Sequence, residues 1–100
     1  MLISGGENVY PAEVEAVMLD HPAVAEIAVI GRADDRLGEV GVAVVVAADG
    51  EDPPTLDGLR SWADDRLARY KHPRDLVIVD ELPRTALGKV TKHVLRDRLS

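Results

Sequence analysis

The sequence predicts a small α+β domain, with a sheet of about three main strands covered by helices and an N-terminal hairpin ahead of them. Three observations predict it. The chain has 100 residues, 46% of them hydrophobic and 30% charged, enough for one core and too few for most self-sufficient enzymes. Runs dense in β-branched residues alternate with stretches whose apolar residues recur at helical spacing. Gly, Pro and Asp punctuate the boundaries, and no repeat, low-complexity tract or linker divides the chain. Aromatics are only 3%, with no Phe, so Val, Leu, Ile and Ala must build the core. A chain of this size buries roughly 60 to 65% of its unfolded surface, which lets it fold alone with little surplus.

The elements follow in order. Leu2-Ile3-Ser4-Gly5-Gly6-Glu7-Asn8-Val9-Tyr10 has apolar ends around a Gly-Gly centre and reads as a short hairpin or tight loop. Pro11 suits a first helical position, Glu13 and Glu15 favour the positive end of the helix dipole, and Val14, Val17 and Met18 share a face before His21-Pro22 closes the helix. Val24 to Ile30 and Val40 to Val46 are strands joined through Arg32 to Glu39. Because Gly41 to Ala48 is almost continuously apolar, the second strand is expected to be central and buried on both faces. Thr55 is the expected N-cap of a helix with Leu56, Leu59, Ala63, Leu67 and Tyr70 in one stripe, ended by Lys71-His72-Pro73. Leu76 to Val79 is a third strand, Pro83 to Lys89 a polar loop, and Val90 to Leu99 a last helix carrying Val94, Leu95 and Leu99 inward. Strand order does not follow from the pattern.

Charge and composition exclude several function classes. The net charge of -6 conceals an asymmetry: residues 1 to 59 carry -10 and residues 60 to 100 carry +4. An acidic front half with few aromatics argues against nucleic-acid binding. The basic part can face a phosphorylated small molecule or be ordinary solvated helix surface. The absence of cysteine excludes disulfides, thiolate zinc sites and a cysteine nucleophile, and suits the cytoplasm. No apolar run approaches the ~20 residues of a transmembrane span, and the N-terminus lacks a signal-peptide pattern, so a cytoplasmic location is expected.

Catalytic templates mostly fail. Ser4, Ser61 and Ser100 lie in no nucleophile-elbow context, and His21, His72 and His93 have no metal-ligand spacing, so no metal site is expected. Two segments are left unexplained by folding needs. In Ser4-Gly5-Gly6-Glu7-Asn8, adjacent glycines admit close approach of a ligand or chain to the backbone, although a plain hairpin turn needs the same residues. In Leu82-Pro83-Arg84-Thr85-Ala86-Leu87-Gly88-Lys89-Val90-Thr91-Lys92, a lysine follows a glycine in a polar loop. An ammonium there suits a carboxylate and a phosphate, although a surface turn looks the same, and the spacing is not that of a Walker A loop.

Together these segments resemble the C-terminal domain of the adenylate-forming superfamily, which includes acyl- and aryl-CoA synthetases, peptide adenylation domains and luciferases. The landmarks are Ser4-Gly5-Gly6-Glu7-Asn8-Val9-Tyr10-Pro11-Ala12-Glu13-Val14-Glu15, His21-Pro22-Ala23-Val24, Gly31 to Asp34 with Gly38-Glu39, Tyr70-Lys71-His72-Pro73, and Leu82-Pro83-Arg84 to Gly88-Lys89. The first is closer to fatty-acyl and aryl-CoA synthetases than to peptide adenylation domains.

The resemblance implies a mobile lid, spanning residues 1–100, of an ATP-dependent acid-CoA ligase. The larger N-terminal domain, absent here, would bind ATP, Mg2+ and a carboxylic acid. An acyl-adenylate and pyrophosphate form first; the lid then rotates and the CoA thiol gives the thioester. Lys89 matches the adenylation lysine. Gly5, Gly6 and Glu7 match the loop lining the pantetheine path, and Tyr70, Lys71 and His72 match the segment that meets the CoA nucleotide in some relatives. The pattern around Lys89 also resembles a site where a lysine acyltransferase removes the charge. Ala33 departs from a proline common before Asp34, and the hinge residue would fall just before Met1. Alone the domain is expected to be inactive. The alternatives are a stand-alone CoA- or protein-binding module with the same fold and, more remotely, an unrelated interaction domain.

Overall fold

Valine-rich runs and amphipathic stretches assemble into three layers, described by a computed structural model for residues 1–99. The order is β1 (Leu2–Ser4), β2 (Glu7–Val9), α1 (Pro11–Leu19), β3 (Val24–Asp34), β4 (Gly38–Ala47), α2 (Leu56–Ala63), a 3-10 turn (Arg69–Lys71), β5 (Asp75–Ile78) and α3 (Lys92–Leu99). The five strands form one mixed sheet. β4 pairs antiparallel with β3 along its length, meets β1 at Ser4 and Gly38, and pairs in parallel with β5 from Val42 to Val45.

The expected central strand is there, and its side chains divide between two cores. Ala43 and Val45 pack with Val14, Met18, Leu59, Ala63 and Leu67 beneath α1 and α2. Val42 and Val44 pack with Ala28, Ile30, Leu82 and Leu95 beneath α3 and the segment before it. Leu59 is fully buried whereas Leu87 is 97% exposed. Leu59→Ala is therefore expected to cost about 2–5 kcal/mol of stability, and Leu87→Ala nothing measurable. Urea denaturation of the two variants checks this contrast.

Three boundaries differ most from the sequence expectation, each where hydrogen bonds redirect the backbone. First, the segment from Arg32 to Glu39 is mostly strand, with pairing continuing to Asp34 and Gly38. Asp34 Oδ1 accepts the N–H groups of Arg36 and Leu37, both at 2.9 Å, and so closes the hairpin tightly. Gly31 lets Leu2 of the N-terminal hairpin lie against β3, since a Cβ there would stand 2.6 Å from Leu2 Cδ2.

Second, α2 stops at Ala63 rather than running to Tyr70. Arg66 Nη1 takes the Trp62 carbonyl at 2.6 Å, Ala68 is extended, and the chain folds back to bury Leu67 and His72. Third, α3 begins at Lys92, not Val90, because Val90 bridges back to Arg84. At the start of α2, Thr55 Oγ1 accepts the Gly58 N–H as expected for an N-cap. Among the described residues, no helix is long and apolar enough to cross a membrane.

Candidate functional site

Lys89 sits on a turn closed by its own backbone. The Arg84–Val90 bridge forms the base, Thr85 N–H donates to Lys89 O at 2.8 Å, and Gly88 N–H donates to Thr85 O at 2.9 Å. The Lys89 N–H reaches Thr85 Oγ1 at 3.2 Å, and Gly88 takes φ +87°, a conformation side chains disfavour. Leu82 is buried and Val90 packs beside it, so both feet of the turn stand in the core under α3. The Lys89 side chain is exposed and its ammonium has no ion-pair partner among the described residues. Beside it, Thr85, Thr91, Lys92, His93 and Arg96 line a shallow depression of about 550 Å3. This is an exposed cation on a turn closed by its own hydrogen bonds, beside an open hollow.

The Gly5-Gly6 turn lies elsewhere. Both glycines have positive φ, +58° and +82°, as a two-residue hairpin turn demands. Gly5 N–H donates to Leu37 O at 2.8 Å, which docks the turn on the β3–β4 connection. Gly6 is open, with nothing within 4 Å of where a Cβ would stand, and Glu7 is exposed. The Lys89 turn, by contrast, is tied through Arg84 to Glu26, near the other end of β3. From Glu26 to Asp34 a strand spans roughly 26 Å, so the two segments occupy opposite ends of one long hairpin.

Tyr70, Lys71 and His72 differ sharply in availability. Tyr70 is 40% exposed. Lys71 Nζ holds Glu13 Oε1 at 2.7 Å, and this hydrogen-bonded carboxylate raises the Lys71 pKa above its ordinary value. His72 is 5% exposed, with Nε2 at 3.3 Å from Leu67 O. A carbonyl only accepts, so that nitrogen carries the proton, and the ring braces the turn after α2.

The charge asymmetry of the sequence takes on a structural meaning here. Lys71 pairs with Glu13, Arg84 with Glu26 and Lys92 with Glu15, so cations of the second half are bound by acids of the first. Lys71 is tied to α1 through Glu13, while the Lys89 turn is footed in the core beneath α3. Glu15 does double duty, since its Oε2 also accepts the Val29 N–H at 2.8 Å on the outer side of β3. Sequence reasoning missed Arg84, Glu15 and Glu26, because such pairs link positions far apart in the chain. The one local hint was Arg84 inside the loop that carries Lys89.

Asp34 offers a check on the hairpin end. The N–H groups of Leu37 and Arg36 hold its carboxyl below the usual range. A lowered folded pKa contributes stability above the unfolded value of about 3.9, lost as pH falls through the lower folded one. Thermal melts taken downward from about pH 5 should therefore show a shallower acid loss in Asp34→Ala than in the parent chain, and equal slopes would contradict this.

Known proteins share this architecture. Residues 13–89 match the model of the AMP-binding enzyme C-terminal domain. The chain is 54% identical over 98 residues to the indoleacetate-CoA ligase of Aromatoleum aromaticum, covering 96% of this chain and 19% of that protein. It superposes on the Mycobacterium tuberculosis fatty acyl CoA synthetase with a TM-score of 0.90 at 45% identity, covering 98% of this chain and 19% of that one. For ATP-bound MatB from Rhodopseudomonas palustris the TM-score is 0.91 at 40% identity, with coverage of 98% and 19%. The chain thus spans about a fifth of the length of the proteins it matches. With three quarters of its residues inside the family model and agreement in sequence and shape along nearly all of it, the chain belongs to the AMP-binding enzyme C-terminal domain family.

Proposed function

We propose that the chain is the C-terminal lid of an AMP-forming acid-CoA ligase, working with a larger N-terminal domain. The observation that carries this reading is the exposed Lys89 ammonium, without an ion-pair partner among the described residues, on a turn fixed by its own hydrogen bonds. ATP and CoA are the co-substrates: ATP supplies the adenylyl group that activates the carboxylate, with pyrophosphate as the leaving group, and CoA supplies the thiol that displaces AMP. The exposed ammonium suits the first half-reaction, where an anionic carboxylate approaches an anionic phosphate and a fixed cation between them offsets the repulsion. Mg2+ and the acid pocket are assigned to the larger domain.

Gly5, Gly6 and Glu7 serve the second half-reaction, presenting open backbone to the pantetheine arm. Tyr70 offers exposed surface to the CoA nucleotide, and Lys71 reaches a phosphate only on leaving Glu13. His72 supports that segment from within. The placement of the two turns at opposite ends of β3 supports a division of labour in which rotation of the lid exchanges one end for the other. Exposure of Lys89 also leaves it open to a lysine acyltransferase, which would remove the charge the first step needs. We place the enzyme in the cytoplasm, in keeping with a cysteine-free chain.

The experiment is pyrophosphate release and thioester formation by the full-length enzyme, assayed with a panel of carboxylic acids. Acid-dependent release followed by CoA-dependent thioester is expected. Binding of CoA or of a protein with no pyrophosphate release for any acid would favour a non-catalytic module.

A further inference from the structure

We propose that Arg84 is a positioning residue for Lys89, tying the lysine turn to β3 through Glu26; this rests on the reading that Lys89 acts in the first half-reaction. Arg84 uses two nitrogens of one planar group. Nη1 donates to the Gly88 carbonyl at 2.8 Å, the residue before Lys89, and Nη2 holds Glu26 Oε1. Glu26 is paired within the sheet opposite Val46. A guanidinium is a stiff fork, so the carboxylate on β3 and the carbonyl beside Lys89 are joined by a link with few soft torsions.

The turn itself makes such a link effective. Hydrogen bonds among Thr85, Gly88 and Lys89 bind its tip into one unit, while its feet at Leu82 and Val90 sit in the core. A stiff tip on two feet can still tilt about the line joining them. The lateral tie from Gly88 through Arg84 to Glu26 opposes that tilt and so sets the point from which the Lys89 side chain leaves the backbone. Both side chains of the ion pair are about 40% exposed, a placement that adds little to global stability. Its loss should therefore disturb Lys89 geometry far more than folding.

The test uses the full-length enzyme with Arg84→Ala, Arg84→Lys, Glu26→Gln, the Arg84→Ala/Glu26→Gln double variant and Lys89→Ala. Arg84→Ala is expected to lower kcat for pyrophosphate release about ten- to hundredfold, with KM values little changed, since a misplaced charge is lost chiefly in the transition state. Thioester formation from supplied acyl-adenylate should be unchanged. Arg84→Lys, which cannot bridge both partners, should fall between parent and Arg84→Ala. Glu26→Gln should cost less, and should cost nothing further when Arg84 is already alanine.

Wild-type pyrophosphate release in Arg84→Ala, beside an inactive Lys89→Ala, would overturn the positioning role and leave the Lys89 reading standing. Equal loss of both half-reactions in Arg84→Ala, or full additivity with Glu26→Gln, would also overturn it. Pyrophosphate release at wild-type rate in Lys89→Ala would overturn both readings.

Discussion

Lys89→Ala is expected to lower acyl-adenylate formation in the full-length enzyme by at least about a hundredfold, equivalent to roughly 3 kcal/mol of lost charge stabilisation. The effect is large because the turn is already organised. Thr85, Gly88 and Arg84 fix the backbone around Lys89, so only the lysine side chain has to be ordered when anions arrive. A hydrated lysine on a loose loop would offer less, having to be ordered at the moment of reaction. The folded state should hardly notice the substitution, since the side chain is exposed and has no ion pair among the described residues. Pyrophosphate release measured in single turnover checks the loss, and an unchanged melting temperature excludes misfolding as its cause.

Gly6→Leu is expected to spare that step and to reduce thioester formation about tenfold or more, because a branched side chain would stand where the turn presents bare backbone. Two costs must be separated. A leucine at φ +82° is strained by roughly 1–2 kcal/mol. Its side chain meets nothing within the domain, where open space surrounds the Cβ position, so the strain alone should not unfold the hairpin. Gly6→Ala carries nearly the same backbone strain with little bulk. Thioester formation near the parent rate in Gly6→Ala and much reduced in Gly6→Leu would assign the effect to bulk in the thiol's path. Equal losses in the two variants would assign it to the backbone instead.

Much of this fold was legible because its strongest signals are local. The run from Gly41 to Ala48 had no polar face, and β4 proves to be packed on both sides, with Val42 and Val44 toward α3 and Ala43 and Val45 toward α1 and α2. The Gly5-Gly6 turn and the Thr55 cap were legible for the same reason, each being set by residues within a few positions. Failures occurred where side-chain hydrogen bonds and burial redirect the backbone against the apolar pattern. Leu67 and Tyr70 continue the stripe of α2, yet the chain leaves the helix once Arg66 binds the Trp62 carbonyl and His72 is drawn inside. Arg32 to Glu39 reads as a connection by composition, yet Asp34 closes the turn so tightly that most of the segment pairs.

The site followed the same division. Lys89 and the paired glycines stood out by motif, whereas their supports did not. Arg84 finds Glu26 across 58 positions and Lys92 finds Glu15 from the first helix, and neither partnership leaves a periodic trace. The split between an acidic front and a basic back was visible, but not its consequence. Pairing across that split joins the halves of the domain, while Lys89 has no ion-pair partner among the described residues.

The most direct measurement is a ratio of two rates in the full-length enzyme: pyrophosphate release from acid and ATP, over thioester formation from supplied acyl-adenylate and CoA. If the two ends of β3 serve separate half-reactions, the ratio falls about a hundredfold in Lys89→Ala and rises about tenfold in Gly6→Leu. A ratio unchanged in both variants, or moving in the same direction in both, would contradict the division of labour.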